Sequence, residues 1–417
     1  MQKNNILLAF YGDDFTGSTD ALEFMTRAGA KTVLFIEPPT AEQLQQHPGL
    51  QAFGVAGMTR AMAPEKMEAT LLPAFEQLKQ TGARHVHYKV CSTFDSAPHI
   101  GSIGKAIDTG AAVFNNSFVP LLVAAPVLGR YCLFGNLFAR MGIGSQGQIY
   151  RLDRHPSMSK HPVTPADESD LRLHLGKQTN KKIGLVDLLQ LSHSTIQLPD
   201  DCDIILFDAL YQEQLTIIGE LIDQQANTGA LFSAGSSGIE MALGQYWNRT
   251  GALHPVYDWK HPGSVEKLLV ICGSCSPVTA AQIEYAKANG FEEVLLEDVP
   301  ANLSTDKSII IHTGGTHKKH AVNVPADILG TALGRIAKDM VARDNWSRIV
   351  IAGGDTSSYA ARAMGIEAVE MTAALVPGAP LCKATAPGSP LHNKEVNFKG
   401  GQVGGEDYFS ILKAGKI

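Results

Sequence analysis

The sequence predicts an α/β protein of two domains, each a mostly parallel β-sheet flanked by helices, and three observations predict it. At 417 residues the chain is longer than one hydrophobic core usually serves. Short β-branched or apolar runs alternate with longer helical stretches, the order from which parallel sheets are built. Glycines gather where those runs end, at the sheet edge where open α/β folds bind ligands.

Taken in order, "NILLAFYG" reads as the first strand, and "TGSTDALEFMTRAGA" as a helix that starts on Thr/Ser caps and stops at Gly29. "KTVLFIE" and "AFGVAG" are the next strands. "PEKMEATLLPAFEQLKQTGA" is amphipathic, and "HVHYKV" is a strand running into "CSTFDS". Further strands are expected within "VFNNSFVPLLVAAP", "DIILFDAL" and "GALFSAGS". From about Tyr246 to Ser264 the text turns to Pro, His and aromatics without periodicity, which predicts a linker over 246–264 between domains at 1–245 and 265–417. The second series then runs through "KLLVICGS", "SIIIHTGG", a helix from about Ala326 to Arg343, and "RIVIAGGDTSS".

Composition narrows the partners. The chain is 44% hydrophobic and 18% charged, with a formal net charge of −6. That balance argues against nucleic acid and anionic membrane as main partners, since both favour a basic face. The apolar start lacks the length of a membrane span and the cleavage site of a signal peptide, so a cytoplasmic protein is expected. Six dispersed cysteines do not suggest a disulfide framework. Cys272 and Cys275 form a lone C-G-S-C with no second pair and no histidine at ligand spacing to complete a zinc site.

Two vocabularies carry chemistry. In the first half, "YGDDFTGSTD" sets Asp13 and Asp14 at a strand end against a helix N-terminus, where free backbone N–H groups favour an anion or a carboxylate. A purely structural reading has one aspartate capping the helix and the other in solvent. "YKVCSTFDSAPHIGSIG" then offers Lys89, Ser92, Thr93, Asp95 and Ser96 as a pocket wall, and "APVLGRY" adds Arg130, whose fork suits a carboxylate. The second half has four Gly/Ser/Thr-rich turns: "CGSCSPVT", "HTGGTH", "AGGDTSS" and "FKGGQVGG". Close backbone approach with many N–H and hydroxyl donors is how phosphates are cradled without a basic cluster. Neither a Walker motif nor GxGxxG in a strand–helix setting is present. His312, His317 and His320 read as turn or surface residues, and His85 and His87 as packed.

These stretches together resemble the four-carbon acid sugar kinases over nearly the whole chain. "YGDDFTGSTD" is similar to the family's opening Asp-Asp-x-Thr-Gly-x-x-Asp signature, "KVCSTFDS…GSIG" to its Lys…Cys-Ser-Thr…Gly-Asn-Ile-Gly segment, and "GSCSPVTAAQI", "GGDTSS" and "KGGQVG" to its nucleotide-domain loops. The resemblance implies an N-terminal domain that binds a sugar acid, a C-terminal domain that binds ATP with magnesium, and reaction in the cleft between them. It makes "CGSC" a nucleotide-facing turn. Departures at Ser102, at 155–171 and at "PGSPLHNKEVNF" leave the acid open among threonate or erythronate, a 3-oxo-tetronate and a branched 3-oxo-isoapionate. The texture is most similar to the branch associated with RuBisCO-like proteins.

On this reading Asp14 is the general base on a substrate hydroxyl, Asp13 orients it or a metal-bound water, and Asp95 is the reserve base. Lys89 and Arg130 would hold the substrate carboxylate, with Ser92, Thr93 and Ser96 on its hydroxyls. Ser274, Ser276, the turn Gly353, Gly354, Asp355 and Thr356, and Gly400 with Gly401 would line the ATP site; no magnesium ligand is assigned. A homodimer is compatible with the sequence but not required by it. The rivals are a non-catalytic sugar-acid sensor and an ATP-independent lyase or hydrolase, the latter lacking a G-x-S-x-G elbow.

Overall fold

The computed structural model describes residues 6–141, 147–274, 276–300, 303, 305–314 and 324–416. The chain divides into two compact units, each assembled from more than one stretch. One takes the residues up to Asp13, then Phe24–Thr32 and Pro38–Val256. The other takes Asp14–Glu23, Val33–Glu37 and the chain from Tyr257 onward.

The elements run β1 (Leu8–Gly12), α1 (Phe15–Arg27), β2 (Thr32–Phe35), α2 (Ala41–Gln45), β3 (Ala52–Ala56), α3 (Pro64–Gln80), β4 (His85–Lys89), α4 (Ile103–Phe114) and β5 (Val119–Leu122). An antiparallel group follows, β6 (Arg130–Leu133), β7 (Asn136–Arg140) and β8 (Ile149–Arg151). Next come α5 (Leu171–Gly176), β9 (Ile183–Val186), α6 (Leu188–Leu191), β10 (Ile204–Phe207), α7 (Gln212–Gln225), β11 (Leu231–Gly235) and α8 (Gly238–Thr250). The remainder holds β12 (Leu269–Cys272), α9 (Pro277–Ala288), β13 (Glu292–Leu295), β14 (Ile309–His312), α10 (Ala326–Arg343), β15 (Arg348–Ala352), α11 (Asp355–Ala363), β16 (Ala368–Ala373), β17 (Leu381–Thr385), β18 (Glu395–Lys399) and α12 (Tyr408–Ala414).

In the first unit the strand order is β3-β1-β4-β11-β5-β10-β9, every pairing parallel. The strands β1, β3, β4, β10 and β11 are buried along their whole length, which is why they read as near-continuous apolar runs rather than alternating ones. In the second unit the order is β13-β14-β12-β15-β18-β17-β16-β2, parallel as far as β18 and antiparallel beyond it. The β2 pairing is Ala368 with Phe35 and Val369 with Leu34.

Several local expectations shift. The run "VFNNSFVPLLVAAP" is a strand only from Val119 to Leu122, because Val113 and Phe114 still belong to α4, which ends on Asn115 in the left-handed conformation. Helix α8 occupies the first part of the 246–264 stretch, and irregular chain begins after Gly251. The β6–β7 hairpin turns on Phe134 and Gly135, both at positive φ (49° and 81°). Asp208 holds that turn, accepting from Phe134 N at 2.5 Å and Gly135 N at 3.0 Å.

One carboxylate ties β4 to the helices of its unit. Asp223 of α7 accepts from Arg84 Nε at 3.1 Å, Arg84 Nη2 at 3.0 Å, His85 Nε2 at 2.9 Å and Trp247 Nε1 at 3.1 Å. Burial would raise its pKa, but the hydrogen bonds from His85 and Arg84 outweigh this and hold the carboxyl well below the usual range. A depressed carboxyl contributes stability that is present above its unfolded value, about 3.9, and is lost as pH falls below that. Asp223→Asn is therefore expected to cost about 1–3 kcal/mol at neutral pH. Urea unfolding should show the midpoint gap narrowing steadily as pH falls below about 4, and an unmoved neutral midpoint would refute the assignment.

Candidate active site

The first unit brings three parallel strand ends together at Asp13. Register pairs Gly12 of β1 with Ala56 of β3 and with Lys89 of β4, so the residues that follow share one edge of the sheet. Asp13 N donates to Lys89 O at 2.9 Å, and Arg60 N, just past β3, donates to Asp13 O at 3.1 Å. Arg60 also grips the Asp13 carboxylate in a two-pronged pair, Nη2 to Oδ1 at 2.7 Å and Nε to Oδ2 at 3.0 Å. Asp13 is only 3% exposed, so this is a largely desolvated charge pair. Arg60 was not singled out in the sequence. Its signal there is a single arginine after a strand, in "GMTRAM".

Asp14 does different work. Its Oδ1 accepts from Gly17 N at 2.8 Å and its Oδ2 from the Thr16 hydroxyl at 3.0 Å. It thereby caps α1, satisfying a backbone donor that the helix start leaves open. The two neighbouring carboxylates are kept apart in role: Asp13 is neutralised by a guanidinium, and Asp14 accepts from the Gly17 N–H and the Thr16 hydroxyl at the helix start. A carboxylate oxygen carries two lone pairs, so a capping hydrogen bond does not by itself bar an aspartate from accepting a proton.

Beyond β4, Lys89 is buried and its Nζ donates to Val90 O at 3.0 Å. Phe94, at φ 56°, turns the chain so that Thr93, Asp95 and Ser96 line a small pocket with Leu152, Leu171 and His174. Ser96 Oγ meets His174 Nε2 at 3.0 Å and accepts from Gln178 Nε2 at 2.9 Å. Asp95 Oδ1 and His174 Nδ1 are buried polar atoms without a hydrogen-bond partner among the described residues. Burial, aided by Lys177, lowers the His174 pKa and keeps the ring neutral. The predicted hydroxyl-binding residues Thr93 and Ser96 thus reach the cavity, and Ser92 lies half-buried on the same turn. Cys91 Sγ lies 3.0 Å from Thr93 Oγ1, and burial, reinforced by Asp95, pushes its thiol up to about 11, so it stays protonated. His174 went unremarked in the sequence, since one histidine in the short helix "LRLHLG" carries no pattern.

Arg130 is buried, and its Nη1 donates to the carbonyls of Leu128 (3.0 Å), Gly129 (3.3 Å) and Arg140 (3.2 Å). That commits Nη1 to the backbone just before β6 and at the end of β7. His85 and His87 are fully buried, as their alternation on a strand suggested. His87 is pushed down to about 3 by burial and Lys89.

In the second unit the glycine turns after β12, β15 and β18 converge. Ser274 N lies 3.4 Å from where a Cβ on Gly353 would stand, and that Cβ would meet Thr356 Oγ1 at 2.1 Å. A Cβ on Gly401 would fall 3.0 Å from both Ser274 Oγ and Ser276 Cβ. At Gly353 and Gly401 a side chain would crowd these contacts, and glycine lets the turns close on one another. Ser276 caps α9 through Val278 N at 3.2 Å, and Gly354 precedes α11, which Asp355 opens. Thr16 of α1, in the same unit, stands 3.8 Å from the Cβ position of Gly400. Gly-rich turns gathered in this way are of the kind that can cradle phosphate oxygens. The fourth turn, "HTGGTH", lies outside the described residues from Gly315, as do His317, His320 and Cys275. His312 is not at the surface: it is buried and bonded to Glu293 at 2.9 Å. No group of three metal-ligating side chains occurs among the described residues.

Comparison with known proteins names two stretches of the chain. Residues 8–243 match the family model described as a sugar-binding N-terminal domain, and residues 292–409 the nucleotide-binding C-terminal domain. The chain is 38% identical to a 3-oxo-isoapionate kinase of Paraburkholderia graminis, over 99% of this chain and 95% of that protein. It is 27% identical to a 3-oxo-tetronate kinase of Methylobacterium radiotolerans, over 97% and 98%. Among solved structures, a putative tRNA synthase from Salmonella typhimurium LT2 superposes with a TM-score of 0.74 at 23% identity, covering 98% of each chain. Protein HI1011 of Haemophilus influenzae does so with a TM-score of 0.68 at 22% identity, covering 97% of this chain and 99% of that one. At such identities the two structures establish the fold alone.

Proposed function

Since the chain belongs to the four-carbon acid sugar kinase family and is a sugar-acid kinase, we propose that it transfers the γ-phosphoryl group of ATP to a hydroxyl of a branched 3-oxo acid of the 3-oxo-isoapionate type. The observation that carries the substrate is the identity gap: 38% to the 3-oxo-isoapionate kinase against 27% to the 3-oxo-tetronate kinase, each over nearly full length. The cavity of the first unit supports it. Asp95 Oδ1 and His174 Nδ1 are buried and lack partners among the described residues, and the hydroxyls of a branched acid would supply them.

Lys89 is the proposed carboxylate donor. Arg130, with Nη1 held by three carbonyls, is the less suited of the two. Asp14 is the proposed general base, and the glycine turns of the second unit hold the triphosphate. Magnesium would arrive on the ATP phosphates and keep most of its waters, which asks for few protein ligands. That suits a chain without a metal cluster among its described residues. The metal would neutralise charge on the moving phosphoryl group.

ADP release measured across threonates, erythronates, 3-oxo-tetronates and 3-oxo-isoapionate tests this reading. The branched acid is expected to give the highest kcat/KM, and a threonate winning would overturn the substrate. Asp95→Asn should raise KM for the acid roughly 10-fold, the worth of about one charge-assisted hydrogen bond, with KM for ATP unchanged. An unchanged KM for the acid would remove this cavity from substrate binding.

A further inference from the structure

Lys399 ends β18 directly before the Gly400–Gly401 turn, and its side chain is wholly buried. Its Nζ donates to Thr279 Oγ1 at 3.0 Å and stands 5.5 Å from the centre of the Tyr408 ring. An ammonium carries three donors, and among the described residues no carboxylate forms an ion pair with this one. A buried cation without an anion is held at a cost, which is offset when an anion arrives.

The hydroxyl that Lys399 touches leads to the turns. Thr279 Oγ1 lies 3.1 Å from Ser274 Oγ and 3.1 Å from Gly401 O. Ser274 Oγ also accepts from Ser276 N at 3.2 Å. With a donor entering Thr279 from Lys399, the Thr279 hydrogen passes on to Ser274 or Gly401. Ser274, accepting from inside, keeps its own hydrogen to donate outward.

We propose that Lys399 is a positioning residue of the nucleotide site: from behind Ser274 and the Gly400–Gly401 turn it sets positive charge behind a bound phosphate chain and, through Thr279, fixes Ser274 as a hydroxyl donor to a phosphate oxygen. This deepens the ATP reading of the second unit and rests on it. Burial pushes the amine down to about 8, with Cys272 acting the other way. The titratable groups facing it are Cys272 from β12 and Tyr408 from α12; α9 contributes only the Thr279 hydroxyl. Burial pushes the Tyr408 phenol far up, so it stays neutral. A bound phosphate favours the charged amine. Nucleotide affinity is then highest below about pH 8 and falls as pH rises through it.

The test uses the full chain with Lys399→Met, Lys399→Arg, Thr279→Val and Cys272→Ala. ADP binding by calorimetry and KM for ATP are read from about pH 7 to 9. Lys399→Met is expected to melt no lower than wild type. It should weaken ADP binding and raise KM for ATP roughly 10–100-fold, flatten the pH dependence, and leave KM for the acid near normal. Lys399→Arg should recover part of the affinity, Thr279→Val should weaken ADP binding roughly 10-fold, and Cys272→Ala should keep the wild-type pH profile. A folded Lys399→Met with wild-type ADP affinity and pH profile overturns the inference alone. Should that variant fail to fold, Thr279→Val with wild-type ADP affinity overturns it instead. A wild-type chain that binds no ADP overturns the ATP reading as well.

Discussion

Asp14→Asn is expected to lower kcat by roughly 10²–10⁴-fold, the usual cost of losing a general base, while both substrates still bind. The substitution separates the cap that Asp14 forms from the base proposed for it. As a cap, Asp14 accepts from Gly17 N through a single oxygen, and Asn presents the same oxygen and caps as well as Asp. As a base it must take a proton, which an amide does not do. A melting temperature near wild type with a collapsed kcat is the signature of the catalytic role. Unimpaired kcat would reduce Asp14 to the cap alone. Asp95→Asn is the control, because a collapse of kcat there, with Asp14→Asn near normal, would move the base to Asp95.

Arg60→Met should have the largest effect on stability. It removes the two-pronged guanidinium contact from the Asp13 carboxylate, only 3% exposed. Removing one member of a buried pair typically costs about 3–5 kcal/mol. Arg60 is itself 25% exposed, and water reaching that side argues for the low end, about 3 kcal/mol. At roughly 2–4 °C per kcal/mol for a unit of this size, melting should fall by about 6–12 °C. Asp13→Asn in the Arg60→Met background should recover much of the loss, since a neutral amide does not leave a naked charge. Absence of recovery would mean that Arg60 stabilises through its contacts rather than its charge.

What the sequence showed of this fold was its local grammar. β1, β4, β12 and β15 stand where apolar runs end in polar or glycine turns, because a strand buried on both faces writes itself as an apolar run. The antiparallel pieces, β6–β8 and β16–β17, were not legible: short half-buried strands alternate weakly, and their turns rest on partners such as Asp208, distant in sequence. The site divides the same way. Asp13 and Asp14 announce themselves as a pair, and the helix after them predicts a cap. Nothing near Asp13 announces Arg60, because ion-pair partners across a sheet edge are set by register and not by spacing. Lys399 was legible in principle, as a strand-borne lysine before a glycine turn by the logic applied to Lys89.

The chain's repeated passage between units bears on how the protein is made. β2 takes its place beside β16, pairing Phe35 with Ala368, and Phe15 of α1 packs on Phe398 with ring centres 4.3 Å apart. The ribosome releases Phe15 and Phe35 early and their partners only near the end. At about 5–20 residues per second the early segments wait on the order of tens of seconds for them. During that interval β2 is an apolar strand without its β16 neighbour, a template for wrong pairings with other nascent chains. A vector that begins at Tyr257 would omit β2 and the start of α1 altogether. Expression of the C-terminal half alone is therefore a poor route to its nucleotide chemistry, and a synthesis slowed early but fast late should raise the yield of active enzyme.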